Sequence, residues 1–293
     1  MTAARLGLGT VQFGLDYGIS NTRGKVSLAE ARVILTEADR AGVGLLDTAA
    51  AYGEAESVLG GLRPESDAFT VVTKTLRLAE GLDAVLAGIE RSRKRLRRKN
   101  LDTILVHAAS DLTRPEGAAL WERLRNLQAA EAIARIGFSA YHGDNIAELA
   151  ERFRPDVVQV AASFLDQQLV RNSTLVRLKE LEIEVHARSI FLQGLIFLHP
   201  DRLPSTLMPI TPHLAMVRVL LAEVGLSPLA AALAWALAQE EIDRIVVGVT
   251  SLVELREILA AASGATTTGV DWAALALDDP VALDPSRWQG APA

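Results

Sequence analysis

The chain has 293 residues, 49% of them apolar, so one large core is within reach and disorder is not expected. Thirty basic against 36 acidic side chains leave a net charge of −6, which argues against a nucleic-acid polyanion as partner. No cysteine is present, which excludes disulfides, thiolate metal sites, iron–sulfur clusters and cysteine nucleophiles.

The first nine residues lack an apolar core of the secretory kind, so no leader is expected there. The most apolar helical stretch, 229–238, is about half a membrane span and sits among charged segments. A soluble, cytoplasmic chain without a membrane partner is predicted.

Short β-branched runs alternate with longer helical ones. Residues 6–10 read as a strand ended by glycines. Ser27 and Glu30 form a capping box that opens a helix to about Ala41, ended by Gly42 and Gly44. Residues 45–48 form the next strand, and 54–62 a short helix stopping before Pro64. Residues 69–74 are a strand by β-branched enrichment. Residues 82–99 follow as a helix with Leu82, Val85, Leu86, Ile89 and Leu96 on one face. Strands at 103–107, 136–139, 157–161 and 184–188 precede helices at 116–130, 145–153, 173–181 and 213–224. A last strand, 245–248, leads into a helix over 252–262. Eight strand–helix units in this length predict a single-domain (β/α)8 barrel over residues 1–293. No Gly-x-Gly-x-x-Gly follows any strand, so the open dinucleotide-binding sheet loses. The connection 195–212 is long and holds four prolines, the kind of loop that carries function or is disordered. The tail from about 263 is expected to pack over the barrel through its Trp and Leu residues.

Polar residues at the C-terminal ends of barrel strands face the mouth where active sites form. By strand order these are Asp47, Lys74, His107, Ser139, Gln159 in the sixth strand, and Arg188, with Tyr52 in the loop after the second. An ammonium beside a phenol lowers its pKa from the usual value near 10, and a carboxylate holds the ammonium. Such a phenol is a general acid for a carbonyl oxygen, and a neutral imidazole can orient that carbonyl. The chain has no hydride source of its own, so a nicotinamide is required.

At these residues the sequence resembles the aldo-keto reductases, and the resemblance covers nearly the whole chain. It is carried by 7–10, by the run from Asp47 to Tyr52-Gly53 with Glu56 and Gly60 following, by 72–74, 105–107 and 137–139, and by Gln159 and 248–251. The stretches 9–14 and 188–194 look like a bacterial branch often associated with carbohydrate metabolism. The resemblance implies NAD(P)H-linked reduction of an aldehyde or ketone, or the reverse, with NADP(H) the family habit and NAD(H) an option. Tyr52 would be the acid/base, Lys74 and Asp47 its tuning pair, and His107 the carbonyl-orienting donor. Gly9 and Thr10 would border the cofactor, Ser139 and Gln159 would hold the nicotinamide carboxamide, and Arg188 would stack on the ring. Ser189, Gln193 and Gly194 would approach the pyrophosphate, and Gly248, Thr250, Ser251 and Glu254 the adenosine phosphate. Three departures stand out. Ala140 replaces a common Asn, Arg188 a common aromatic, and Glu254 lies where a cation would grip a 2′-phosphate.

Two other classes stay open: an aldolase or lyase forming an imine on Lys74, and a non-catalytic nicotinamide-nucleotide sensor. His142, His186, His199 and His213 have no metal-site spacing, so no metal is expected. Residues 91–99 hold seven basic side chains in nine positions, read as cations at a helix C-terminus and not as a nucleic-acid surface. The stripe Leu229, Leu233 and Leu237 reads as core. Residues 264–269 are assigned no phosphate role. Substrate specificity is expected from 195–212, from the segment after Tyr52, and from the tail near Trp272 and Trp288.

Overall fold

Eight strands pair in chain order, all parallel, and β8 closes on β1. They are β1 (Leu6–Gly9), β2 (Leu45–Asp47), β3 (Thr70–Lys74), β4 (Leu101–Val106), β5 (Ile133–Ser139), β6 (Val157–Ala161), β7 (Glu184–Arg188) and β8 (Arg244–Gly248). The helices are α1 (Val11–Gly14), α2 (Leu28–Arg40), α3 (Ala55–Gly61), α4 (Leu82–Arg95), α5 (Gly117–Ala129), α6 (Ile146–Phe153), α7 (Gln168–Arg171), α8 (Thr174–Glu180), α9 (Thr211–Glu223), α10 (Pro228–Ala238), α11 (Leu252–Ser263) and α12 (Trp272–Leu275). This is a (β/α)8 barrel, seen in a computed structural model that describes residues 2–63, 65–141 and 143–288. Pro64 and His142 lie outside the described residues.

The two-residue period of a strand explains how the barrel builds a site. Leu45, Val72, Leu105, Val157 and Val246 form one buried apolar cluster. Two residues further along the same strands stand Asp47, Lys74, His107, Gln159 and Gly248. An apolar floor therefore underlies a polar layer, and both follow from one alternation. The residues of opposite parity, such as Leu46, Val71, Ile104 and Val158, join the larger core shared with the helices.

Local departures from the expected elements have physical causes. The capping box at α2 is half built: Ser27 Oγ accepts from Glu30 N, but the Glu30 carboxylate accepts from Leu252 N on α11 at 2.8 Å. Helix α4 stops at Arg95, four residues short, because Arg97 turns into left-handed backbone. The basic run is thereby split. Arg93 and Lys94 pair with Glu90, while Arg98 bonds Asp102 and the carbonyls of Ser66 and Phe69. Two helices, α9 and α10, separate β7 from β8, the second capped by Ser27's counterpart Ser227, whose Oγ accepts from Ala230 N. Of the Leu stripe on α10, Leu233 is buried, and Leu229 and Leu237 are partly buried against the core. The long connection is a series of single helical turns pinned by buried Leu195, Leu203, Leu207 and Ile210. Together with α9, its last turn makes an apolar run of 19 residues, Ser205–Glu223. Pro209 and the change of helix type at Thr211 divide that run, and α9 alone spans only about 20 Å. In the tail, Leu275, Leu277, Ala282, Leu283 and Trp288 are buried, and Leu277 N donates to Leu165 O at 2.8 Å.

Candidate active site

A cavity of about 810 Å³ opens at the C-terminal ends of the strands. Asp47, Tyr52, Lys74 and His107 meet on its wall. Lys74 Nζ donates to Asp47 Oδ1 and Oδ2 at 2.8 and 2.7 Å, to Thr48 O at 3.1 Å and towards Tyr52 Oη at 3.4 Å. Asp47 Oδ1 also accepts from Gln159 Nε2 at 2.7 Å. The ammonium also lies 4.9 Å from the centre of the Tyr52 ring. Only a chain with Gly14 can seat that tyrosine: a Cβ there would run into the Tyr52 carbonyl and the amides of Glu54 and Ala55.

The electrostatics differ from what an isolated ammonium beside a phenol would give. Burial and the charge of Asp47 push the Tyr52 phenol above its ordinary pKa, with the Arg188 charge opposing weakly. Lys74 favours the phenolate, but its charge is already answered by a carboxylate at bidentate range, so burial wins. Tyr52 is therefore a firmly protonated acid. His107 lies edge-on to Tyr52, ring centres 6.2 Å apart at 87°. Burial and the Lys74 charge lower its pKa to about 4, so the imidazole is neutral at neutral pH. Its Nδ1 lies 3.3 Å from Thr75 O, a contact that requires Nδ1–H because a carbonyl only accepts. In that tautomer Nε2 is an acceptor, so donation to a carbonyl in the cavity requires the proton on Nε2 instead.

Gly9, Thr10, Ser139, Arg188, Ser189, Gln193, Gly194, Gly248, Thr250 and Glu254 also line the cavity. Gln159 and Ser251 do not. Gln159 is fully buried beneath it, spending its amide on Asp47 and standing 3.4 Å from Ser139 Oγ, and Ser251 is buried as the N-cap of α11. Arg188 donates to Ala140 O at 2.8 Å and lies 4.4 Å over the Tyr141 ring. Ser189, Leu192 and Gln193 all adopt positive φ, a costly sequence of conformations for residues with a Cβ.

Several cavity residues carried no sequence signal. Tyr17, Tyr141 and Phe191 supply aromatic surface, and Phe197, within the expected connection, adds to it. Leu283 to Ser286, next to Trp288, supply the tail's contribution, while Trp272 and Trp288 themselves do not line the cavity. Among the described residues of the connection 195–212, Phe197 alone reaches the wall; Gln193 and Gly194, just before that connection, also do. Among the described residues no group of three His, Asp or Glu side chains is placed to hold a metal ion. His186 bonds Glu184, His213 bonds Leu275 O, and His199 pairs with Asp201.

The residues fit a nicotinamide dinucleotide. The cavity has the volume of a cofactor site. Glycines at 9, 194 and 248 expose backbone along it, and a Cβ at Gly248 would fill space against the Gln12 amide. The Oε1 atoms of Gln12 and Gln193 are buried acceptors with no protein partner.

Solved structures with this architecture include a Pseudomonas aeruginosa protein described as an aldo-keto reductase and the holo form of a Bacillus halodurans aldo-keto reductase. The first is 21% identical, with 89% of this chain and 90% of that one covered and a TM-score of 0.66. The second is 19% identical, with 92% and 90% covered and a TM-score of 0.74. At such identities the likeness speaks to the fold. No curated protein matches the chain significantly. The aldo/keto reductase family model matches residues 5–275, and the chain belongs to that family.

Proposed function

We propose that the protein reduces an aldehyde or ketone, such as a sugar or related carbonyl, to the alcohol with a nicotinamide cofactor, Tyr52 being the proton donor. The observation that carries this reading is the buried relay Asp47–Lys74–Tyr52, with 2.7 and 2.8 Å between carboxylate and ammonium and 3.4 Å between ammonium and phenol. The nicotinamide, when bound, supplies hydride to the carbonyl carbon.

The chain does the rest. Tyr52 gives its proton to the carbonyl oxygen as negative charge develops there, and the adjacent Lys74 ammonium stabilises the phenolate left behind. Asp47 keeps Lys74 in place and charged. Neutral His107 donates a hydrogen bond that orients the carbonyl. Ser139, Ser189 and the turn Gln193-Gly194 would hold the cofactor, with Gly9, Gly248 and Thr250 bordering it.

The imine-forming alternative is disfavoured by the same geometry. Lys74 is 1% exposed and its ammonium protons are committed to Asp47, Thr48 and Tyr52, so no free amine faces a substrate.

Replacing Tyr52 with Phe tests the proposal. Carbonyl-dependent oxidation of the reduced cofactor should fall at least about 100-fold, with cofactor affinity held within twofold. Full activity in that variant removes Tyr52 as the acid. A wild-type protein that binds cofactor but turns over no carbonyl is a sensor and not a reductase.

A further inference from the structure

The cavity continues from the phenol to the turn between β8 and α11, where Thr250, Glu254, Glu257 and Ile258 line it. A twelve-residue helix such as α11 ordinarily offers its first amides and the positive end of its dipole to a phosphate. Here the chain's own side chains have taken two of those amides, Leu252 N and Glu254 N, and also the amide of Thr250 just before the helix. Leu252 N donates to the Glu30 carboxylate at 2.8 Å. Thr250 N and Oγ1 donate to the two oxygens of Glu254 at 2.6 and 2.8 Å. Glu254 N donates to Ser251 Oγ at 3.2 Å.

The basic side chain of this turn is turned away as well. Arg256 Nε donates to Glu37 on α2 at 2.9 Å. Among the described residues, Arg23, Lys74 and Arg188 are the Lys and Arg side chains that line the cavity. Lys74 is held by Asp47, and Arg188 by Ala140 O and the Tyr141 face. Arg23 is exposed on the β1–α2 connection.

We infer that the β8–α11 turn selects NADH over NADPH, with Glu254 the residue that sets the choice. The inference rests on the nicotinamide chemistry proposed above. Two hydrogen bonds from Thr250 orient the Glu254 carboxylate, and an oriented carboxylate accepts hydrogen bonds from ribose hydroxyls. A phosphate on the 2′ oxygen replaces that donor with a dianion. It would meet Glu254 and Glu257 on the wall and find the amides of Thr250, Leu252 and Glu254 already satisfied. The departure from an NADP-type site is carried first by the sign of the wall and second by the occupation of the Leu252 and Glu254 amides.

Titrating the purified full-length protein with NADH and with NADPH at equal ionic strength, followed by nicotinamide fluorescence, reads the choice directly. NADH should bind at least about tenfold more tightly, equivalent to 1.4 kcal/mol. Glu254→Gln should narrow that ratio, and Glu254→Arg should bring NADPH to parity or better while NADH changes less. Because Glu254 also braces Thr250, Glu257→Lys serves as a second variant that leaves the brace intact and should shift the ratio in the same direction. Equal or tighter NADPH binding by the wild type overturns the inference and leaves the reductase reading standing. A ratio unmoved by both Glu254 variants overturns the assignment to Glu254. Binding of neither dinucleotide removes the reductase reading itself.

Discussion

Lys74 carries its charge where almost no water reaches it, and it survives there because Asp47 meets it with both oxygens. Desolvating two ions costs several kcal/mol, and their attraction offsets that cost only while both are present. Lys74→Met would strand Asp47, leaving it only Gln159 as a donor, and should destabilise the fold by about 3–5 kcal/mol while abolishing turnover. Combining it with Asp47→Asn removes the stranded charge and keeps an acceptor for Gln159. Urea unfolding should show the double variant recovering most of the lost stability, with turnover still absent. A double variant as unstable as Lys74→Met alone would mean that packing, not charge, accounts for the loss. Burial first, and then the charge of the same Asp47, keep the phenol protonated although the Lys74 ammonium lies 3.4 Å from its oxygen.

At the scale of elements, the cavity's roof depends on two loops that hold each other. Gln193 Nε2 donates to Tyr17 Oη at 2.7 Å, Ile19 N donates to Gln193 O at 3.0 Å, and Gly194 lies against Ser20. Gly194 has φ +91, and a Cβ there would collide with Ser20 Oγ. Gly194→Ala should therefore cost about 1–2 kcal/mol in backbone strain alone and separate the loops. Stopped-flow measurement should find faster cofactor release, with Ser20→Gly restoring only part of the loss because the strained φ remains. An unchanged release rate would show that this contact does not retain the cofactor. Such cross-loop contacts were not legible in the sequence, because nothing local to Tyr17 or Gln193 encodes its partner some 176 positions away. The strands were legible, since Val72-Thr73-Lys74 or Leu105-Val106-His107 carries its apolar floor and polar layer within three residues. Element ends were less so. Arg97's left-handed turn and the diversion of Glu30 to α11 are tertiary choices that override a helix-favouring local sequence.

For the whole molecule, ionisable groups at the cavity and at the opposite end of the barrel couple folding to pH from both sides. An unfolded histidine titrates near 6.5, whereas His107 in the fold titrates at about 4. Between those values the unfolded chain binds the extra proton, so His107's contribution is complete above about pH 6.5 and is lost as pH falls towards 4. Glu184, held down to about 2 by its bond to His186 despite partial burial, adds a second loss as pH falls below its ordinary value of 4.5. On the alkaline side the sign reverses. Tyr52 is raised above its ordinary value, and Tyr17 is raised to about 12 by burial and by the neighbouring Tyr52. The unfolded chain releases those protons first, so their contribution is present below about pH 10 and is lost as pH rises beyond it. Urea midpoints measured across pH should therefore form a plateau from about 6.5 to 10 with a falling shoulder on each side. His107→Gln should flatten the shoulder between 6.5 and 4.5 and leave the alkaline one in place, while Tyr52→Phe should shrink the alkaline shoulder to Tyr17's share and leave the acid one in place. The kinetics should follow the same two groups, because kcat/KM for carbonyl reduction requires the phenol protonated and the imidazole neutral in the free protein. It should stay level across that plateau, and an activity limb near pH 6.5 that vanishes in His107→Gln would show that the imidazole is not held neutral by its surroundings.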